Sequence, residues 1–181
     1  ACACRDRDRE VLLVGERGGA KCEGFDFGNS PSSIPTEAVK GRRIIHTTSA
    51  GTQGLTQAVR ADERITGSLV NAAAVAAYIR RRDPETVSLV CMGNAGVREA
   101  PEDLLCAEYI RSLVLGEPLP DLEDRIRALQ WHGGAHFFNP DTQHVYPEPD
   151  FWLCVKRDLF PFVLRAERDE LGLRMEKVDI L

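Results

Sequence analysis

Short apolar runs, separated by polar and glycine-rich junctions, set the rhythm of the first two thirds of this chain. Residues 11–14 are uniformly apolar and stop at Gly15, as a buried strand does. Residues 43–48 predict a second strand, 65–70 a third and 87–91 a fourth. The fourth is continuous in apolar character, the pattern of a central parallel strand. Between them, residues 52–60 predict a helix with Leu55, Ala58 and Val59 on one face. Residues 72–82 predict another, with Asn71 as its N-cap and Pro84 as its stop. Pro101 reads as the first residue of a helix running to about residue 115, with Glu102 and Asp103 in its first turn and Gly116 closing it. Residues 121–130 add one more helix.

Strand and helix alternating at this spacing predict a three-layer α/β/α fold around a largely parallel sheet. Residues 15–33, rich in Gly, Asn, Ser and Pro, read as a long ordered loop. From 131 to 149 the periodicity is lost among Gly, His, Asn and Pro. Residues 151–155, 162–167 and 173–180 then read as further strands, some of them antiparallel.

A length of 181 residues fits a single domain, 1–181, large enough to fold on its own core without disulfides or a structural metal. The net charge of −5 argues against a nucleic-acid partner. It also requires that an anionic substrate be met by local cations or a metal. The six cysteines contain no C-x-x-C pair, and Cys91, Cys106 and Cys154 sit among apolar residues, so reduced thiols in a cytoplasmic setting are expected. No apolar run approaches the ~18 residues a membrane helix needs. Residues 5–10 alternate arginine with acid where a secretory signal would be apolar. Homo-oligomerisation stays open at this level.

In an open parallel sheet, ligands gather beyond the carboxyl ends of the strands, where helix N-termini also point. Three junctions there are polar: Thr47-Thr48-Ser49-Ala50-Gly51-Thr52, Asn71, and Gly93-Asn94-Ala95-Gly96 followed by Glu102 and Asp103. The first offers hydroxyls and backbone N–H groups to an anion, although a capped turn has the same composition. The loop before it adds Glu16 and Arg17, Lys21, and then Gly24-Phe25-Asp26-Phe27-Gly28-Asn29-Ser30-Pro31. A carboxylate between glycines, as at Asp26, can approach a metal, and Arg17 can face phosphate oxygens. A solvated loop anchored by Phe25 and Phe27 is the plainer alternative.

Three near-motifs fall short. Residues 15–22 lack the glycine before Lys21 and the hydroxyl after it that a nucleotide P-loop requires. Between Cys91 and Arg98 stand six residues, one more than in the loop of cysteine phosphatases, and Glu99 follows where a hydroxyl belongs. His132 and His136 have zinc-helix spacing, but Gly133 and Gly134 between them weaken a helix by roughly 2 kcal/mol. His46 reads as a core residue and His144 as a loop residue.

Taken in order, Gly15-Glu16-Arg17, the Gly24 to Pro31 motif, the Thr47 to Thr52 junction, Asn71 with its alanine-rich helix, Cys91 to Gly96, and Glu102-Asp103 resemble the 2-phosphosulfolactate phosphatase family. The threonine-rich junction is similar to that family's T-T-x-G-T loop, with one residue more before the glycine. The match is dense over residues 11–116 and weaker over 150–163. The resemblance implies a three-layer α/β fold and a Mg²⁺-dependent phosphatase that converts 2-phosphosulfolactate to sulfolactate and phosphate, a step in making coenzyme M. The substrate is thus expected to be a small anionic phosphorylated hydroxy acid. Members carry a further N-terminal segment similar to Asp-Val-Leu-Arg-Ala, which has no counterpart before Val11.

The expected site follows. Asp26, Glu16 and Arg17 are the catalytic candidates; Asp26 and Glu16, with Asp103 or Glu102, are the Mg²⁺ ligands. Asn29, Ser30, Thr48, Ser49, Gly51, Thr52, Asn71 and Gly93 are the substrate-binding candidates. The nucleophile is open among a metal-activated water, a carboxylate, and the hydroxyls of Thr48 or Ser49. Two alternatives stand beside this reading: a cysteine-dependent phosphatase using Cys91, and a protein that binds a small anion without turning it over.

Overall fold

The computed structural model describes residues 10–169 and 172–180. Cys2, Cys4 and the charged opening over residues 5–9 lie outside them. The described residues form a mixed α/β structure with six helices and two three-stranded sheets.

The first sheet is built on β1 (Leu12–Arg17), which runs parallel to β3 (Ile44–Thr47) and antiparallel to the two-residue β2 (Ala20–Lys21). Leu13 and Val14 are buried, and Gly15 lies against Thr47, where a Cβ would meet the Thr47 carbonyl oxygen at 2.4 Å. Glycine is therefore needed there for the two strands to pair closely. The chain between Cys22 and Phe27 folds back beside β1, with the Gly15 amide donating to the Phe27 carbonyl at 3.0 Å. The predicted long loop is thus tied to the strand it follows.

The second sheet orders β4 (Ile65–Thr66), β5 (Phe162–Asp169) and β6 (Gly172–Asp179), all antiparallel. It packs against α3 (Ala72–Arg82), which packs on α4 (Pro101–Leu115), and α4 in turn packs on α5 (Leu122–Ala128). Val75, Tyr78, Ile79, Leu105, Ile110, Ile126 and Val163 meet there in the main core. Each such aliphatic side chain contributes about 1.5–3 kcal/mol by leaving water. The helices end as their sequences dictate. Gly116 adopts φ 70° and its N–H closes α4 on Ser112, while Arg80, Arg81 and Arg82 sit at the negative end of α3. Short helices α1 (Thr36–Val39), α2 (Gly51–Gln57) and α6 (Glu148–Cys154) complete the chain.

The expected antiparallel pairing near the C-terminus is present as the β5–β6 hairpin. The expected three-layer arrangement around a largely parallel sheet is not: among the described strands only β1 and β3 pair in parallel. Residues 87–91, predicted as a central strand, form no strand and are exposed, with Val90 at 73%. Apolar continuity marks a segment as able to enter a sheet, but a strand forms only where neighbours take its N–H and C=O groups. Residues 65–70 give only two strand residues, because Gly67 interrupts them and Ser68 opens a 3₁₀ turn, Leu69–Asn71. Residues 151–155 are helical rather than extended. Pro149 in the first turn, with Glu148 and Asp150 beside it, is a helix start that outweighs the apolar run after it.

Candidate functional site

Glu16 is where the two halves of the first sheet are drawn together. It stands near the end of β1, just before a turn in which Gly18 and Gly19 take φ of 60° and 86°. That left-handed turn brings the Gly19 N–H within 2.8 Å of Glu16 Oε2. From the junction after β3, the Ser49 N–H donates to Oε1 at 2.6 Å and the Ser49 hydroxyl to Oε2 at 2.9 Å. The Gly18 N–H in turn donates to Ser49 Oγ at 3.3 Å. Glu16 is only 9% exposed. Burial pushes its carboxyl up, but the Gly19 amide, the hydroxyl and amide of Ser49, and the Arg17 charge together hold it below the usual range. Three protein donors thus favour its charged form.

Arg17 turns outward beside it. Its Nη1 donates to the Glu16 carbonyl at 2.7 Å and its Nη2 to Thr47 Oγ1 at 2.8 Å. Thr48 and Thr52 face each other across the junction: each backbone N–H lies 3.4 Å from the other's hydroxyl, and Thr52 Oγ1 donates to the Thr48 carbonyl at 3.2 Å. Gln53 Nε2 donates to the Ser49 carbonyl at 3.1 Å. An open cleft of about 260 Å³ lies along this region, lined by His46, Thr47, Thr52, Gln53, Thr56 and Gln57. Gly51 opens α2 beside it, and His46 Nε2 reaches Asn29 Oδ1 at 3.0 Å.

Of the residues expected from sequence, the structure therefore gathers Glu16, Arg17, Thr48, Ser49, Gly51 and Thr52, with Asn29 joined through His46. The others are tied elsewhere. Asp26 Oδ2 accepts from the Leu13 N–H at 2.8 Å, near the start of β1 rather than its end. Asp103 Oδ2 accepts from the Gly93 N–H at 2.7 Å, bracing a turn in which Gly93 has φ 60°. The Ser30 hydroxyl donates to Ser33 Oγ at 2.8 Å. Asn71 precedes α3 as expected but caps nothing there. Its Oδ1 accepts from the N–H and hydroxyl of Ser68, and its Nδ2 donates to the Phe162 carbonyl.

Gln53 and Thr56, which line the cleft, were not singled out from sequence. The polar face of residues 52–57 was the available signal, since Thr56 stands one helical turn on from both Thr52 and Gln53. Read as a core residue, His46 instead lines the cleft.

The near-motifs stay near-motifs. The Cys91 thiol is pushed up by burial and then by the Asp103 and Glu99 charges, the reverse of an activated nucleophile. Cys91 and Cys154 are exposed, and Cys22, Cys91, Cys106 and Cys154 are free thiols. His136 stacks with Phe137 and Tyr146. No cluster of three His, Cys, Asp or Glu side chains able to hold a metal occurs among the described residues.

A strand end and a hydroxyl-rich junction joined through a buried acid, with an arginine at the rim, mark this site in a mixed α/β protein. Comparison with known proteins makes the class specific. The profile of the family described as 2-phosphosulpholactate phosphatase matches residues 1–133, and the chain belongs to that family. A protein of Caldicellulosiruptor saccharolyticus named "Probable 2-phosphosulfolactate phosphatase" is 42% identical over 119 residues, 64% of this chain and 48% of its own length. Relatives of the same name from Clostridium perfringens and Deinococcus radiodurans are 32% and 38% identical, over 90% and 75% of this chain and 69% and 57% of their own lengths. The chain thus spans about half to two thirds of the relatives it matches.

Proposed function

We propose that this chain carries the phosphate-holding part of a phosphoric monoester hydrolase that acts on a small acidic phosphorylated hydroxy acid. The names of its relatives point to 2-phosphosulfolactate as substrate, with sulfolactate and phosphate as products. One observation carries the reading: the Glu16 carboxylate pins Ser49 to the end of β1, so that Arg17 and the hydroxyls of Thr47, Thr48 and Thr52 stand around one junction. The guanidinium supplies a fixed fork of donors for phosphate oxygens, and hydroxyls rotate to meet the rest. Donors already in place stabilise charge on the phosphoryl group as it transfers.

Mg²⁺ is the proposed cofactor on the strength of the family resemblance, and it would neutralise phosphate charge with few protein ligands and several waters. The residues expected to hold it do not fit one ion as a set. Glu16, Asp26 and Asp103 are each bound to backbone N–H groups in separate stretches of the chain. No catalytic step is therefore assigned to them through a metal. Coenzyme M synthesis as the setting, a cytoplasmic location and assembly into a homo-oligomer belong to the same proposal. No helix among the described residues is long and apolar enough to cross a membrane.

The test is a phosphate-release screen over phosphorylated hydroxy acids, 2-phosphosulfolactate among them, with Mg²⁺ or with EDTA. Release that depends on Mg²⁺ and favours substrates with a second acidic group is expected. Thermal stabilisation by phosphate with no release from any substrate would replace the enzyme by an anion-binding protein.

A further inference from the structure

We propose that Glu16 is a positioning residue for the phosphate-holding junction and not a metal ligand. The inference rests on the phosphatase reading for its functional meaning, but its geometry stands independently. An ionised carboxylate offers about four lone-pair sites. Three donors already occupy Glu16: Ser49 N–H on Oε1, and Ser49 Oγ–H and Gly19 N–H on Oε2. These donors present the positive ends of their dipoles to the same oxygens a cation would have to approach. A metal at Glu16 would have to displace the bonds that hold the junction together, within a side chain that is almost wholly enclosed.

The carboxylate reaches the cleft through Ser49. The Ser49 carbonyl accepts from Gln53 in α2, and Thr52 of the same helix braces Thr48. Fixing Ser49 thereby fixes the backbone on both sides of it. Arg17, one residue on, takes the Glu16 carbonyl with one nitrogen and the Thr47 hydroxyl with another, so its guanidinium is set by the same corner. Loss of the Glu16 charge is expected to loosen the junction while leaving any metal requirement unchanged.

The experiment compares the full chain with its Glu16→Gln variant by amide hydrogen exchange at residue 49, by calorimetric titration of inorganic phosphate in EDTA, and by the Mg²⁺ concentration that half-saturates phosphate release. The variant is expected to exchange about tenfold faster at residue 49 and to bind phosphate about tenfold more weakly, the scale of a lost hydrogen bond to a charged group. Its half-saturating Mg²⁺ concentration should match the wild type. Unchanged exchange at residue 49, or a rise of about tenfold or more in the Mg²⁺ required, would overturn the proposal, the latter being the size of a lost ligand contact. Should Glu16→Gln fail to fold, Ser49→Ala decides, because it removes the hydroxyl bond and leaves the carboxylate intact. Weaker phosphate binding at unchanged Mg²⁺ demand supports the positioning role, and unchanged binding refutes it. A wild-type chain that neither binds nor releases phosphate sinks the phosphatase reading. The exchange rate at residue 49 then still decides whether Glu16 anchors the junction.

Discussion

The Ser32 N–H donates to Asp150 Oδ1 at 2.8 Å, joining the glycine-rich loop after β1 to the first turn of α6 across 118 residues of chain. Asp150 is 4% exposed whereas Ser32 is exposed, so the bond runs from the surface of the loop to a buried acceptor. Asp150→Ala is expected to release the loop from α6 and to cost about 0.5–1.5 kcal/mol of stability, the net worth of one hydrogen bond. Urea denaturation checks this. A midpoint within error of wild type would show that the loop needs no such tether.

Gly15→Ala tests the floor of the site. Its Cβ would lie 2.4 Å from the Thr47 carbonyl oxygen, a backbone atom with no rotamer to escape into. Strands β1 and β3 must separate at the level where Glu16 and Ser49 meet. Overpacking of this kind costs about 1–3 kcal/mol. Because the displaced atoms support the junction, phosphate affinity should fall together with thermal stability. A fall in stability at unchanged phosphate affinity would uncouple the sheet from the cradle.

Glu16 also gives the fold a defined response to acid. Its carboxyl is held below its ordinary value in the folded chain, so the unfolded chain takes up this proton first as pH falls. The group's contribution is therefore complete above the ordinary carboxylate range and is lost as pH drops through the lowered folded value. Wild-type stability should decline more steeply between about pH 5 and pH 3 than that of Glu16→Gln, which has no proton to bind there. Parallel pH profiles for the two proteins would show that the donors around Glu16 do not favour its charged form.

Much of this was legible in the sequence, for local reasons. Helix α3 matches its predicted span and α4 its stop at Gly116, because capping, proline and charge at helix ends act over a few residues. The meeting of Glu16 with Ser49 was foreshadowed only by their standing together among the expected site residues. Its atoms depend on the β1–β3 register, which pairs Gly15 with Thr47 and which periodicity alone does not set. Residues 87–91 show the converse failure. Their apolar run satisfies every local criterion for a strand, yet pairing is a property of two segments, and no described strand lies against them. Asp26 was read as a ligand because an acid between glycines can approach an ion, with Asp103 or Glu102 in reserve. A backbone N–H close by claims Asp26 and another claims Asp103 instead.

Cys91→Ser separates the phosphatase reading proposed above from a thiolate mechanism. Burial first, then the negative charges of Asp103 and Glu99, raise the Cys91 thiol above its ordinary value, so the nucleophilic form is scarce near neutrality. The loop that follows is closed on itself. The Asn94 N–H donates to the Arg98 carbonyl at 2.8 Å, and the Arg98 N–H returns to the Asn94 carbonyl at 3.3 Å. Those amides are spent on the turn, together with the Gly93 N–H held by Asp103 and the Val97 N–H held by the Asn94 carbonyl. Phosphate release by Cys91→Ser should therefore stay within about twofold of wild type, the range of a surface substitution away from any site. A loss of about 100-fold or more with the fold intact would instead put the sulfur in the reaction, as removal of a nucleophile does.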